Sequence, residues 1–160
     1  MTSEAKRARI EKAVKEAEAR MHKHILSLHH CLVRSDIMRH HHDNLVREMV
    51  EEKDPATFND VKKCQFSAYI AFWFAGLTGV IERYEELRDR EAIPCDNELD
   101  NLITSDFKGV VKPFRNSVAH CSDHDDRRTL ELFNHETTAP DQATMIARAF
   151  HRYFSEHREK

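Results

Sequence analysis

The chain has 160 residues, enough to close one hydrophobic core, and its charged side chains, 33% of the total, are interspersed rather than blocked. With 3 glycines and 4 prolines it lacks the turn residues of an all-β fold, and a formal net charge of −3 argues against a dedicated duplex binder, which carries a strong basic excess. The reading is a single domain over 1–160, all-α, built as an up-and-down bundle of four to five helices.

The first helix starts near Ser3, with Lys6 and Arg7 rather than acids closing its first turn. Its apolar stripe is Ile10, Val14, Ala17, Met21, Ile25, Leu28 and Leu32, in steps of three and four along one helix face. Ser35-Asp36 either caps a second helix or lies inside one long one. The stripe continues through Met38, His42, Leu45 and Met49, and Asp54-Pro55 ends it, because proline pushes its predecessor away from α geometry.

Thr57 or Asn59 caps the next helix, with Phe66, Ile70, Trp73, Leu77, Val80, Tyr84 and Leu87 on one face. Tyr69, Phe72 and Phe74 widen the apolar surface beyond one stripe, which predicts a central helix or a subunit interface. The apolar run from Phe66 to Ile81 is short for a membrane span, so a core helix is expected. Gly76 and Gly79 either let another backbone approach closely or are simply tolerated.

Ile93-Pro94-Cys95 is a break, followed by a short turn over Asn97 to Ile103. Ser105-Asp106 offers a cap for a helix through Phe107, Val110, Val111, Phe114 and Val118, which Pro113 either kinks or restarts. Cys121 to Arg128 reads as a polar loop. Pro140-Asp141 opens the last helix, with Met145, Ile146, Ala149, Phe150, Tyr153 and Phe154 on its apolar side.

The cysteines Cys31, Cys64, Cys95 and Cys121 form no CxxC pair, which suits free thiols in a reducing cytoplasm. The N-terminal residues show no apolar secretory segment, and the expected location is cytoplasmic. The 12 histidines make the surface more positive near pH 6. Three successive ones, His40-His41-His42, point in different directions on a helix and cannot hold one ion. His120 and His124 have the spacing of a metal pair beside Cys121 and three aspartates, yet one turn rarely supplies a whole site. No metal and no cofactor are expected.

The segment Phe114-Arg115-Asn116-Ser117-Val118-Ala119-His120 resembles the signature of the HEPN superfamily: an Arg, a following polar residue and a His after a gap of four to six residues. Long amphipathic helices precede the motif, as in that family. The resemblance implies a homodimeric, metal-independent RNA endonuclease with two motifs facing one cleft, of a kind often found in toxin–antitoxin or antiviral defence systems, with an antitoxin or other partner protein. It implies His120 as the proton-transfer residue, Arg115 as the phosphate cation and Asn116 as their support.

The chemistry stands on its own residues too. Phosphodiester cleavage needs a group that moves protons near neutrality and a cation for the developing charge, and His and Arg are those types. Asn116 and His120 are four apart and share a helix face. Arg115 and His120 are about 140° apart around a helix, so a helix end or a second subunit must bring them together. Lys108, Lys112, Arg127 and Arg128 are candidate phosphate contacts. The competing reading has Arg115 in a structural ion pair, His120 at a favourable helix C-terminus and the lysines and arginines simply solvated. In that case the domain is a non-catalytic binding module.

Overall fold

A computed structural model describes residues 3–52, 60–120 and 139–158. Side chains at 3, 52, 113–120 and 158 fall outside that description. The described residues form five helices and no strand: α1 Ser3–Glu52, α2 Asp60–Asp89, α3 Asn97–Leu102, α4 Ser105–His120 and α5 Ala139–Arg158.

Ser35-Asp36 lies inside one 50-residue helix. Its polar atoms are used across the bundle, not for capping. The Ser35 hydroxyl donates to the Trp73 carbonyl of α2 at 2.9 Å, and Asp36 Oδ2 meets His151 Nε2 of α5 at 2.5 Å. The stripe of α1 splits along its length. Ile25, Leu28, Leu32 and Leu45 are buried, whereas Ile10 and Val14 are 56% and 50% exposed, so α1 begins well outside the body that its middle packs into.

α2 is the central element, in contact with α1, α4 and α5. By length and composition it is apolar enough to cross a bilayer, but Ile70, Trp73, Phe74, Leu77, Val80, Ile81, Tyr84 and Leu87 are packed in the bundle core. The two glycines separate. A Cβ at Gly76 would lie 2.9 Å from Ser35 Cβ, so here α1 and α2 touch, while a Cβ at Gly79 would meet nothing within 4 Å.

α2 closes without a glycine. Ala92 N–H donates to Leu87 O and Glu91 N–H to Arg88 O, the paired bonds of a Schellman turn, and Glu91 takes the left-handed φ of 54° that the turn demands. α3 is capped by Asp96, whose carboxylate accepts from Leu99 N–H at 2.9 Å.

α5 completes the core with Ala143, Ile146, Ala147, Phe150, Tyr153 and Phe154. Met145, placed on the apolar side by periodicity, is instead 52% exposed, because the buried face turns through 143, 146, 147 and 150 and leaves 145 outside. Phe150 and Tyr153 set their rings edge-on to Tyr84, at 5.5 and 5.8 Å between centroids.

Candidate functional site

The helix that carries the motif is anchored at its start. Thr104, not Ser105 or Asp106, supplies the cap: its hydroxyl accepts from Phe107 N–H at 3.1 Å. Gln142 of α5 donates to Leu102 O at 2.9 Å and to Thr104 Oγ1 at 3.3 Å, which pins this corner to the last helix. Phe107 and Val111 are 2% and 1% exposed and fix which side of α4 faces the core.

From there α4 runs back along α2 and continues through Pro113 as one helix to His120. Arg115 and Asn116 therefore occupy register positions on this helix, and His120 is the last of its described residues. At 100° per residue, Lys108, Lys112 and Arg115 fall within an arc of about 60°, and His120 lies about 140° from Arg115. The side chains of Arg115, Asn116 and His120 lie outside the described residues, as do Arg127 and Arg128 in their entirety.

The two lysines have different surroundings. Lys108 Nζ makes an ion pair with Glu85 of α2 at 2.7 Å, with its side chain 38% exposed. That pairing ties α4 to α2. Lys112, one turn on, is exposed.

The histidines of α1 are packed separately. His29 sits edge-on to Phe154 at 5.2 Å, His41 stacks on Tyr69 at 5.3 Å, and His42 lies against Phe66 at 4.7 Å and beside Asp43 at 3.2 Å. Among the described residues no group of three His, Cys, Asp or Glu side chains is arranged to hold a metal. The sequence candidate spanning His120 to Asp126 lies outside them beyond the backbone of His120.

A polar network that carries no sequence motif joins α2, α3 and α5. Tyr84 Oη accepts from Asp96 N–H at 3.0 Å and donates to Asp100 at 3.3 Å. Arg152 Nη2 reaches both Asp96 oxygens, at 2.9 and 2.8 Å, and the same guanidinium pairs with Glu98 and Glu156. Arg88 pairs with Asp100 and Asp89. Burial pushes the Tyr84 phenol up to about 12, and burial raises Tyr153 as well, whose hydroxyl donates to Pro94 O at 3.0 Å. Each partner is matched, so the network holds the 91–104 connection in place and with it the start of α4. The sequence reading missed this network; its one signal there is Asp96, three residues before Leu99, where an Asp can cap a following helix.

Comparison with protein-family models, curated proteins and solved structures gives no match. The fold class that the helices define is an all-α bundle.

Proposed function

We propose that this chain is a metal-independent RNA endonuclease of the HEPN type, acting as a homodimer in the cytoplasm. The observation that carries the reading is the unbroken run of α4 from Ser105 to His120, which gives Lys108, Lys112 and Arg115 a common arc. In this reading the RNA 2′-hydroxyl attacks the adjacent phosphorus and the P–O5′ bond breaks. His120 moves the proton between the attacking and leaving oxygens, Arg115 balances the charge that builds on the phosphoryl oxygens, and Asn116 orients the ring. The products are a 2′,3′-cyclic phosphate and a 5′-hydroxyl. Arg115 and His120 are separated around the helix, so a second subunit completes the site. Lys112, Arg127 and Arg128 contact neighbouring phosphates, with Lys108 in a secondary role. A place in a toxin–antitoxin or antiviral system, with a protein antitoxin as partner, follows from the same reading.

The Lys108–Glu85 pair and the net charge of −3 favour a second reading, a HEPN-like module that binds without cleaving. Incubation of the purified protein with RNA in excess EDTA separates the two. The enzyme cleaves in chelator and loses cleavage in folded Arg115→Ala and His120→Ala variants. Absence of cleavage by the wild-type protein across varied RNAs leaves the binding module.

A further inference from the structure

The apolar stripe of α1 is uncovered at its start. Residues 4–20 are all exposed, whereas from Ile25 onward the bundle buries the same side. Ile10 and Val14 stand in line with Ala17 and Met21 over about 17 Å. The reason is where α2 ends. The two helices run antiparallel: Lys62 pairs with Glu48, Trp73 O meets Ser35, and the turn at Glu91 and Ala92 reaches Met21 and His24. There α2 stops while α1 goes on. The corner is a groove of about 430 Å³, walled by Val14, Ala17, Met21 and His24 and closed at its end by Glu91 and Ala92. Two rows of charge border the stripe. Glu4, Glu11 and Glu18, seven apart, follow one side, and Lys6 and Arg20, with Ala13 between them, follow the other. Arg7 meets Glu11 at 3.6 Å, an exposed pair that leaves the carboxylate open to solvent. An apolar stripe between oppositely charged borders is the pattern by which one helix selects another.

We propose that this groove takes an amphipathic helix of a different protein, antiparallel to α1 and in line with α2. The incoming helix carries basic residues on the border that faces Glu11 and Glu18 and acidic residues on the border that faces Lys6 and Arg20. Charge and shape select it over a second copy at this place. Two α1 arms packed face to face and antiparallel set like border against like border, Glu against Glu and basic against basic. Two parallel arms match their borders, but each α1 continues to Glu52. The second one would run into the elements that bury this side of the first from Ile25 onward. A separate helix meets no such obstacle. Its direction follows from the closed end of the groove. Antiparallel to α1, it brings its positive N-terminal end to Glu91 and to the C-terminal end of α2; reversed, it brings its negative end there. The groove is built from α1 and the 91–92 turn, not from α4, so it stands whether or not the chain cleaves RNA.

The probe is a synthetic peptide of about 18 residues, long enough to hold a helix, with Leu on its apolar stripe, Lys on the border that meets Glu11 and Glu18, and Glu on the other. Titrated with the full chain and read by fluorescence anisotropy, it binds at micromolar concentration. Val14→Asp, outside the core and without effect on helical circular dichroism, weakens binding at least about tenfold. Glu11→Lys combined with Glu18→Lys weakens it about tenfold, and a peptide with Glu in place of the facing Lys restores the wild-type constant. A peptide with its two borders exchanged matches the charges only when it runs parallel to α1, and it binds about threefold more weakly. A wild-type chain that binds none of the first peptide up to about 100 μM overturns the proposal. So does a Val14→Asp chain or a charge-reversed chain that binds it as tightly as wild type, or an exchanged peptide that binds as tightly as the first. A wild-type chain whose Val14 is needed for self-association in sedimentation, or for binding phosphatidylglycerol vesicles, overturns it too, because the stripe then has another occupant.

Discussion

Ser35 and Gly76 meet where α1 crosses α2: a Cβ built on Gly76 would stand 2.9 Å from Ser35 Cβ and 3.3 Å from its Cα. Neither atom is the movable end of a side chain, and Ser35 is held by its hydrogen bond to Trp73 O. Gly76→Ala therefore forces the helices apart. It is expected to cost about 1–3 kcal/mol, outweighing the helix propensity gained. Gly109→Ala, where a Cβ meets nothing within 4 Å, is expected to add up to about 1 kcal/mol. Urea unfolding of the two variants should shift in opposite directions, and a Gly76→Ala protein as stable as wild type contradicts the close crossing.

Glu91 holds a left-handed backbone that costs an L-residue about 1 kcal/mol and costs glycine little. Glu91→Gly should accordingly raise the unfolding midpoint by an amount worth about 0.5–1 kcal/mol, read by thermal unfolding monitored at 222 nm. Glu91→Val, β-branched at the same φ, should lower it.

The raised phenols make stability fall in alkali. Below pH 10 Tyr84 is protonated in both states and its contribution is fully present. Between 10 and about 12 the unfolded chain loses the proton while the folded chain keeps it, so unfolding is favoured by about 1.4 kcal/mol per pH unit. Tyr153, raised in the same direction, adds to the slope. Chemical denaturation in this window should show a declining stability, shallower in Tyr84→Phe. A slope unchanged by that substitution contradicts the burial of the phenol.

Asp96 serves as the cap of α3 and as the anchor for Arg152 of α5. Asp96→Ala removes both and is expected to cost about 2 kcal/mol, while Asp96→Asn retains the cap acceptor and should cost about half as much. Equilibrium unfolding of the pair measures the difference, and equal losses would assign the whole effect to the ion pair.

Periodicity made the helices legible because an apolar residue every three or four positions has one physical meaning. It named Ile25, Leu28, Leu32 and the α2 core, but it also included Ile10, Val14 and Met145, since a stripe tells which side is apolar and not whether anything covers it. Gly76 and Gly79 look alike in sequence, and only the crossing point of α1 with α2 distinguishes them. Ser35 reads as either a cap or an interior residue of one long helix until its hydroxyl finds Trp73 O, 38 positions away. The turn at Glu91 gives no sign because no glycine marks it. For the candidate site, the register of Arg115, Asn116 and His120 on one helix was legible, whereas the Lys108–Glu85 pairing joins residues 23 apart and was not.

The chemistry of the RNA ends tests the central claim most directly. A labelled oligoribonucleotide incubated with the protein in excess EDTA should yield fragments ending in a 2′,3′-cyclic phosphate by mass, with the rate reduced about 10²–10⁴-fold in His120→Ala. Fragments ending in a 3′-hydroxyl, or a His120→Ala protein that cleaves at the wild-type rate, would contradict the account.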